Sequence, residues 1–181
     1  MIRTDNEIMA IVFDVIRTGL AAYYPVPPLV QQAYQVTQQG VPQSDAVLVH
    51  SITSARYGFP QDESWYDETE QEMKQEQSWW LERTYQVDAV IGQADTSATA
   101  RTAFDYVDAV SSILQTSSAL EAFRSNEIGV LRIQPLRVTY IVDDMGRHEQ
   151  VPSFDFTLTY KQSTLTIVPS LERYDAAIYG V

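Results

Sequence analysis

The sequence predicts an α+β fold: an antiparallel (mixed) sheet packed by an N-terminal helix and a central helix pair, with a projecting β arm. Three observations carry this. Apolar residues recur at helical spacing near the N-terminus and again over residues 98–115. Two stretches, WWLERTYQVDAVI (79–91) and SFDFTLTYK (153–161), alternate with a period of two, as half-buried strands do. An acidic run stands directly before the first of them, with no Gly or Pro between. With 181 residues and 45% hydrophobic content, the chain reads as one domain, 1–181, able to fold by burial alone.

In chain order, TDNE (4–7) has the form of a capping box, Thr4 accepting from the third helical amide and Glu7 reaching back. Ile8, Ile11, Val12, Val15, Ile16 and Leu20 follow on one helical face, so the helix runs to about Ala22 and stops before Pro25. PVPPLV is an extended connector, QQAYQV a short strand and QQGVPQ a turn. AVLVHSIT (46–53) reads as a buried strand because its apolar residues are nearly continuous. QADTSAT breaks the chain before a helix over Ala98–Gln115, lined by Ala103, Val107, Val110 and Leu114 with Phe104, Tyr106 and Ile113 beside them. SALE (118–121) signals a further short helix carrying Leu120 and Phe123. In VLRIQPLRVTYIV (130–142) the alternation changes parity at Pro135, which predicts a bulge or an edge. DDMG (143–146) then turns the chain into a return strand with Phe154, Phe156, Leu158 and Tyr160 on its core side.

The stretch 62–92 falls into two halves. Trp79, Leu81, Tyr85, Val87, Ala89 and Ile91 share one face, broken by Arg83, and the opposite face is mostly polar, so 79–91 is a core strand with one wet side. Before Trp79, Asp62, Glu63, Asp67, Glu68, Glu70, Glu72 and Glu76 are opposed by Lys74 alone, and only Met73 is clearly apolar. That half has nothing to bury. A solvated loop and a projecting arm at 61–78, ordered by a partner, both fit it.

Composition restricts the chemistry. Without Cys there are no disulfides, thiolate metal sites or thiol nucleophiles. Neither an N-terminal signal pattern nor an apolar run of spanning length is present, which predicts a soluble chain with no membrane partner. A formal charge of −12 predicts repulsion from nucleic acid rather than phosphate binding. His50 lies in an apolar strand and His148 in a hairpin return, far apart and without HExxH spacing, so a core histidine and a surface turn residue are expected. Asp143 and Asp144 fit a turn better than a cation site. No EF-hand, Gly-rich phosphate loop or GxSxG occurs. The expectation is a protein with no catalytic residues, cofactor or metal.

Taken together, the TDNEI helix, QQGVP, RYGFP after a strand, WWLERTYQVDAVI and SFDFTLTYKQ resemble, in order and spacing, the tail terminator or neck terminator proteins of tailed bacteriophages. The similarity runs from about Thr4 to Gln162; the extension 163–181, with SLERYDAAIYGV, lies outside it and its role stays open. The resemblance implies a structural virion protein, made in the host cytoplasm and placed in the tail or neck. There a homo-oligomeric ring, usually a hexamer, sits on the last ring of the tail tube protein and ends its polymerisation. It implies further partners in the head–tail connector, stopper or neck proteins, with a sheath protein in contractile tails, and a channel through which DNA passes without specific binding. Asp67, Glu68, Glu70, Glu72 and Glu76 are then candidate channel-facing acids, which would keep phosphates from sticking. Arg56, Tyr57, Phe59, Trp65, Tyr66 and Met73 are candidate inter-subunit contacts. Two other classes stay open: an acidic DNA mimic that inhibits a host nucleic-acid-binding protein, distinguished by being a monomer or dimer, and a small-molecule module or hydrolase, which requires a pocket with convergent polar groups.

Overall fold

In a computed structural model, described over residues 4–33, 44–92, 101–142 and 148–168, helices cover one face of a single six-stranded sheet. The first helix, α1 (Asp5–Tyr23), starts where the capping box predicts: Thr4 Oγ1 accepts from the Glu7 amide at 3.3 Å and the Glu7 carboxylate accepts from the Thr4 amide at 2.6 Å. It buries Ile8, Met9, Val12, Val15, Ile16 and Leu20, and the chain leaves helical geometry at Tyr24, just before Pro25. The second helix, α2 (Ala103–Ile113), begins later than the expected Ala98, because Thr102 and Asp105 form a second capping box. It buries Tyr106, Val107, Val110 and Ile113, while Phe104 points to solvent. The third, α3 (Ser117–Ser125), is capped by Thr116 and not by Ser118, since Thr116 Oγ1 accepts from the Ala119 amide at 3.2 Å. Ala119 and Phe123 are its buried residues, and Leu120 is only partly covered.

The strands are β1 (Leu29–Gln32), β2 (Ala46–Asp67), β3 (Glu72–Val90), β4 (Ile128–Ile133), β5 (Arg137–Val142) and β6 (His148–Val168), ordered β1-β2-β3-β6-β4 with β5 also on β6. Only β1 is parallel to its neighbour, so the sheet is mixed. It joins the end of PVPPLV, read as a connector, to the first two residues of QQAYQV, read as a short strand; residues 34–36 of QQAYQV and all of QQGVPQ lie outside the described residues, as does the DDMG turn. The two strands flanking Pro135 run end to end along the same edge of β6, joined across Gln134, whose amide bonds the Asp155 carbonyl at 2.8 Å. The bulge expected near Pro135 sits earlier, between Val130 and Arg132, and turns Leu131 outward.

The core lies between α1, α2 and α3 and the faces of β3 and β6. Leu81, Tyr85, Val87 and Ala89 meet Phe154, Phe156, Leu158 and Tyr160, all buried, with Tyr85 stacked on Phe156 at 5.3 Å. Period-two alternation on both strands produces this contact directly. Arg83, the break in the pattern, stays at the core margin by pairing with Asp5 in the first turn of α1.

Candidate functional site

Beyond the core the sheet continues as a three-stranded arm. Every residue from Ser51 to Tyr66 on β2 is exposed, so the buried strand expected at 46–53 is buried only at its start. β3 runs alongside from Glu72, and β6 follows β3 outward through Val168. The acidic stretch is therefore a hairpin and not one ribbon: Asp62 to Asp67 end the outgoing strand, Glu68 to Gln71 turn, and Glu72 begins the return. Residues 163–168, left open by the sequence, are the third strand.

The turn forms without Gly because side chains replace it. Asp67 Oδ1 accepts from the amides of Thr69 at 3.0 Å and Glu70 at 3.2 Å, an Asx-type turn. Lys74 Nζ bonds Asp67 Oδ2 at 2.7 Å and also pairs with Glu70. The Lys74 hydrogen bond, helped by the two amides, lowers the Asp67 carboxyl below its ordinary range, and the same two carboxylates raise Lys74. Gln71 closes the turn with φ +55°. Of the five candidate channel acids, Asp67 and Glu70 are thus occupied in holding the tip, and Glu68 stands on the turn beside them.

Register assigns the rest to faces. On the outer face, continuing the side of the sheet away from the helices, lie Tyr57, Glu63 and Trp65 of β2, Glu72, Glu76 and Trp80 of β3, and Lys161, Leu165 and Ile167 of β6. On the other face lie Arg56, Asp62, Ser64 and Tyr66, then Met73, Gln75 and Gln77, then Gln162, Thr164 and Thr166. Glu72 and Glu76 therefore share a face with exposed Trp65, Trp80, Leu165 and Ile167, while the opposite face is a largely neutral ladder. The six candidate contacts are divided: Tyr57 and Trp65 on the outer face, Arg56, Tyr66 and Met73 on the other. Phe59 lies in the bulge between Tyr57 and Gln61, where it is 94% exposed. Arg56 is engaged within its own subunit, its guanidinium 4.9 Å from the Trp79 ring.

One polar cluster escaped sequence reading. On the sheet face away from the helices, Arg137 makes a two-pronged bond to Asp155 at 2.8 and 2.9 Å and reaches Gln86 at 3.2 Å. Gln86 donates to Asp88 at 2.8 Å, and His50 Nδ1 approaches Asp88 at 3.6 Å. His50 is thus not a core residue: it pairs across to Gln86 on the wet face, its side chain 33% exposed. Burial raises the Asp88 carboxyl against the lowering by Gln86, His50 and Arg137. The signal was absent because these residues meet only through strand register. His148's side chain and the Asp143–Asp144 pair fall outside the described residues.

A cleft of about 540 Å³ opens where α1 meets β1, lined by Arg17, Pro27, Pro28, Leu29, Asp45 and Tyr106 among others. Its Arg17, Asp45 and Tyr106 side chains are spoken for. Arg17 donates to the Val30 carbonyl at 2.8 Å, and Asp45 accepts from the Tyr106 hydroxyl at 2.7 Å and the Gly92 amide at 2.9 Å. They tie α1, α2 and the sheet together rather than converging on a ligand. Among the described residues, no group of three or more His, Asp or Glu is arranged for a metal ion, and no helix is long and apolar enough to cross a membrane.

A family model described as E217 gateway protein gp29 matches residues 7–170 of the chain. Among solved structures, the fold is similar to the sheath/tube terminator of an extracellular contractile injection system, PVC, in the extended state. The TM-score is 0.51 at 12% identity, covering all of this chain, which spans 64% of the length of that one. No curated protein matches.

Proposed function

The chain belongs to the family of the E217 gateway protein gp29, and from that footing we propose that it is a structural virion protein that ends the tail tube of a tailed bacteriophage. In this reading copies assemble into a ring, six to a turn, on the head-proximal end of the tube. The ring stops tube growth, docks the connector, stopper or neck proteins and, in a contractile tail, the sheath, and leaves a channel for DNA. Its work is done by shape and charge, without catalysis.

The observation that carries this reading is the arm. A strand exposed from Ser51 to Tyr66, paired with the return strand, which in turn pairs with the end of β6, contributes nothing to the core that folds the subunit. It also displays Trp65, Trp80, Leu165 and Ile167 to solvent. Apolar side chains gathered on a projection mark a contact surface. The likeness to a sheath/tube terminator supports the same reading at the level of fold. The test is electron microscopy of tails from particles lacking the protein, with native mass spectrometry of the purified chain. Tubes of uncontrolled length that fail to join heads are expected, together with rings of the isolated or tube-bound protein. Tails of uniform length, joined to heads in its absence, would refute the proposal.

A further inference from the structure

RYGFP (56–60) breaks the ladder between β2 and β3. Tyr57 lies opposite Trp80 and Gln61 opposite Ser78, so Gly58, Phe59 and Pro60 stand where β3 has only Trp79. Gly58 takes φ +70°, which a side chain would resist, and Pro60 has no amide proton to return to the ladder. Phe59 is left 94% exposed, more than any other large apolar side chain among the described residues. Bulges re-aim side chains, and this one holds an aromatic ring clear of its own subunit.

A hollow of about 290 Å³ lies between α1 and the facing parts of α2 and α3, lined by Val15, Gly19, Ala22, Tyr23, Ile113 and Ala119 among others. The Thr116 hydroxyl beside them is turned back onto the Ile113 carbonyl at 2.7 Å. An apolar cavity of about 150 Å³ already takes a benzene ring, so the hollow admits a phenyl group. Phe59 of the same chain does not reach it. Arg83, opposite Ser54, pairs with Asp5, while Arg17 bonds the carbonyl of Val30, whose strand pairs it with Val47. α1 therefore runs from the arm side of the sheet toward its far end, and the hollow, at residues 14–23 of α1, stands near or beyond the height of Val47. The strand from Val47 to Phe59 spans roughly 30–40 Å.

We propose that the hollow takes Phe59 of a second copy of this chain. The proposal rests on the ring reading and names its contact. An apolar knob and a pocket for it at opposite ends of one molecule make copies join end to end, in an interface that closes into a ring when the rotation permits. Charge agrees with this pairing: Arg56 is the only Lys or Arg in β2, and Asp14 is the only charged residue among the described residues that line the hollow. Tyr66, half exposed on the same side of the arm as Arg56, extends the contact beyond the anchor. Two copies meeting by the same stretch of arm would instead set Asp62, Glu63 and Asp67 against like charge.

The test replaces Phe59 by its photoreactive analogue p-benzoylphenylalanine, which keeps an aromatic ring at that position. The full chain is irradiated on isolated tail tubes, each variant having first been shown to keep the parental urea midpoint. Links between copies are expected, in a ladder climbing in steps of 20.5 kDa to the ring mass, and peptide mass spectrometry should place them at residues 14–23 or 113–122. Ala22→Trp, at an exposed position on the lining, should abolish those links by filling the hollow. Phe59→Ser should weaken each contact roughly thirtyfold, the loss typical of an anchor residue. Links confined to a tube, sheath or neck protein, or to the arm of another copy, would overturn the proposal. Parental rings seen by native mass spectrometry that persist in Phe59→Ser overturn the contact and leave the ring reading standing; absence of rings from the parent, on tubes and in isolation, removes both.

Discussion

Single residues decide how closely the helices pack and how the wet face responds to pH. A methyl group on Gly19 of α1 would collide with the Ile113 side chain of α2, so the absence of a side chain sets that helix–helix approach. Gly19→Ala is expected to lower stability by about 1–3 kcal/mol through overpacking despite the better helix propensity of Ala, measured by urea unfolding. Gly58→Ala meets no neighbouring atom and suffers only from its φ of +70°, at a cost of about 1 kcal/mol. Asp88 behaves oppositely to Asp67. Burial raises its carboxyl, so the folded chain holds that proton more tightly than the unfolded one. Its contribution to stability is therefore fullest below the ordinary carboxylate range and is lost as pH rises through the raised value. Asp88→Asn keeps an acceptor for Gln86 but cannot ionise, so it should raise the urea midpoint near neutral pH and leave it unchanged at about pH 3; a gain equal at both pH values would refute this assignment. His50 faces Asp88, Gln86 and the Arg137–Asp155 pair without completing any reactive set, so His50→Ala, like His148→Ala, is expected to leave assembly of virions intact, scored by plaque yield.

At the scale of elements, the parts that were legible in the sequence are those whose cause is local. The TDNE box and the alternation of Phe154, Phe156, Leu158 and Tyr160 each need only a few neighbours to act, and they stand where the pattern puts them. The starts of α2 and α3 shifted to Thr102 and Thr116 because several Ser and Thr precede each helix, and tertiary packing selects among them. The outgoing strand of the arm was not legible: with both faces wet from Ser51 onward, apolar alternation disappears, and a turn built from Asp67, Lys74 and Gln71 lacks the Gly that normally announces a hairpin. The candidate site residues could not be sorted into faces from the sequence, since that depends on bulges at Ser51/Thr53 and Tyr57/Gln61. The arm yields its own prediction. Replacing residues 62–76 with a short flexible linker removes exposed or half-exposed side chains and no core residue. A changed loop length shifts closure entropy by under about 1–2 kcal/mol. The shortened monomer should unfold within a few degrees of the parent in calorimetry, yet fail to form rings and give tails of irregular length. Uniform tails from the shortened protein would return the stretch to a solvated loop.

For the whole molecule the question is what a charge of −12 does in the ring around DNA that we propose. The arm does not carry its acids uniformly. Lys74 ties up Asp67 and Glu70 at the tip, leaving Glu63, Glu72 and Glu76 on the outer face and Glu68 on the turn. If that face or that tip borders the channel, Glu68, Glu72 and Glu76 supply the repulsion that keeps phosphates moving, because attraction to a basic wall would grow with every phosphate engaged. Screening limits the effect to charges within about 8–10 Å of the DNA at physiological salt. Reversing all three to Lys should therefore slow ejection severalfold at low salt and much less at high salt, while rings still form, since none of the three takes part in the tip pairing or the core. Reversing Asp67 instead should act on the hairpin itself: it removes the acceptor of two turn amides and sets a second cation beside Lys74, so ring assembly should suffer before DNA passage does. The two variants separate charge from architecture in one assay, single-particle ejection measured alongside native mass spectrometry. Unchanged ejection kinetics at low salt in the triple variant would mean that these acids merely solvate the arm, and that DNA runs past the neutral Gln and Thr ladder of the opposite face.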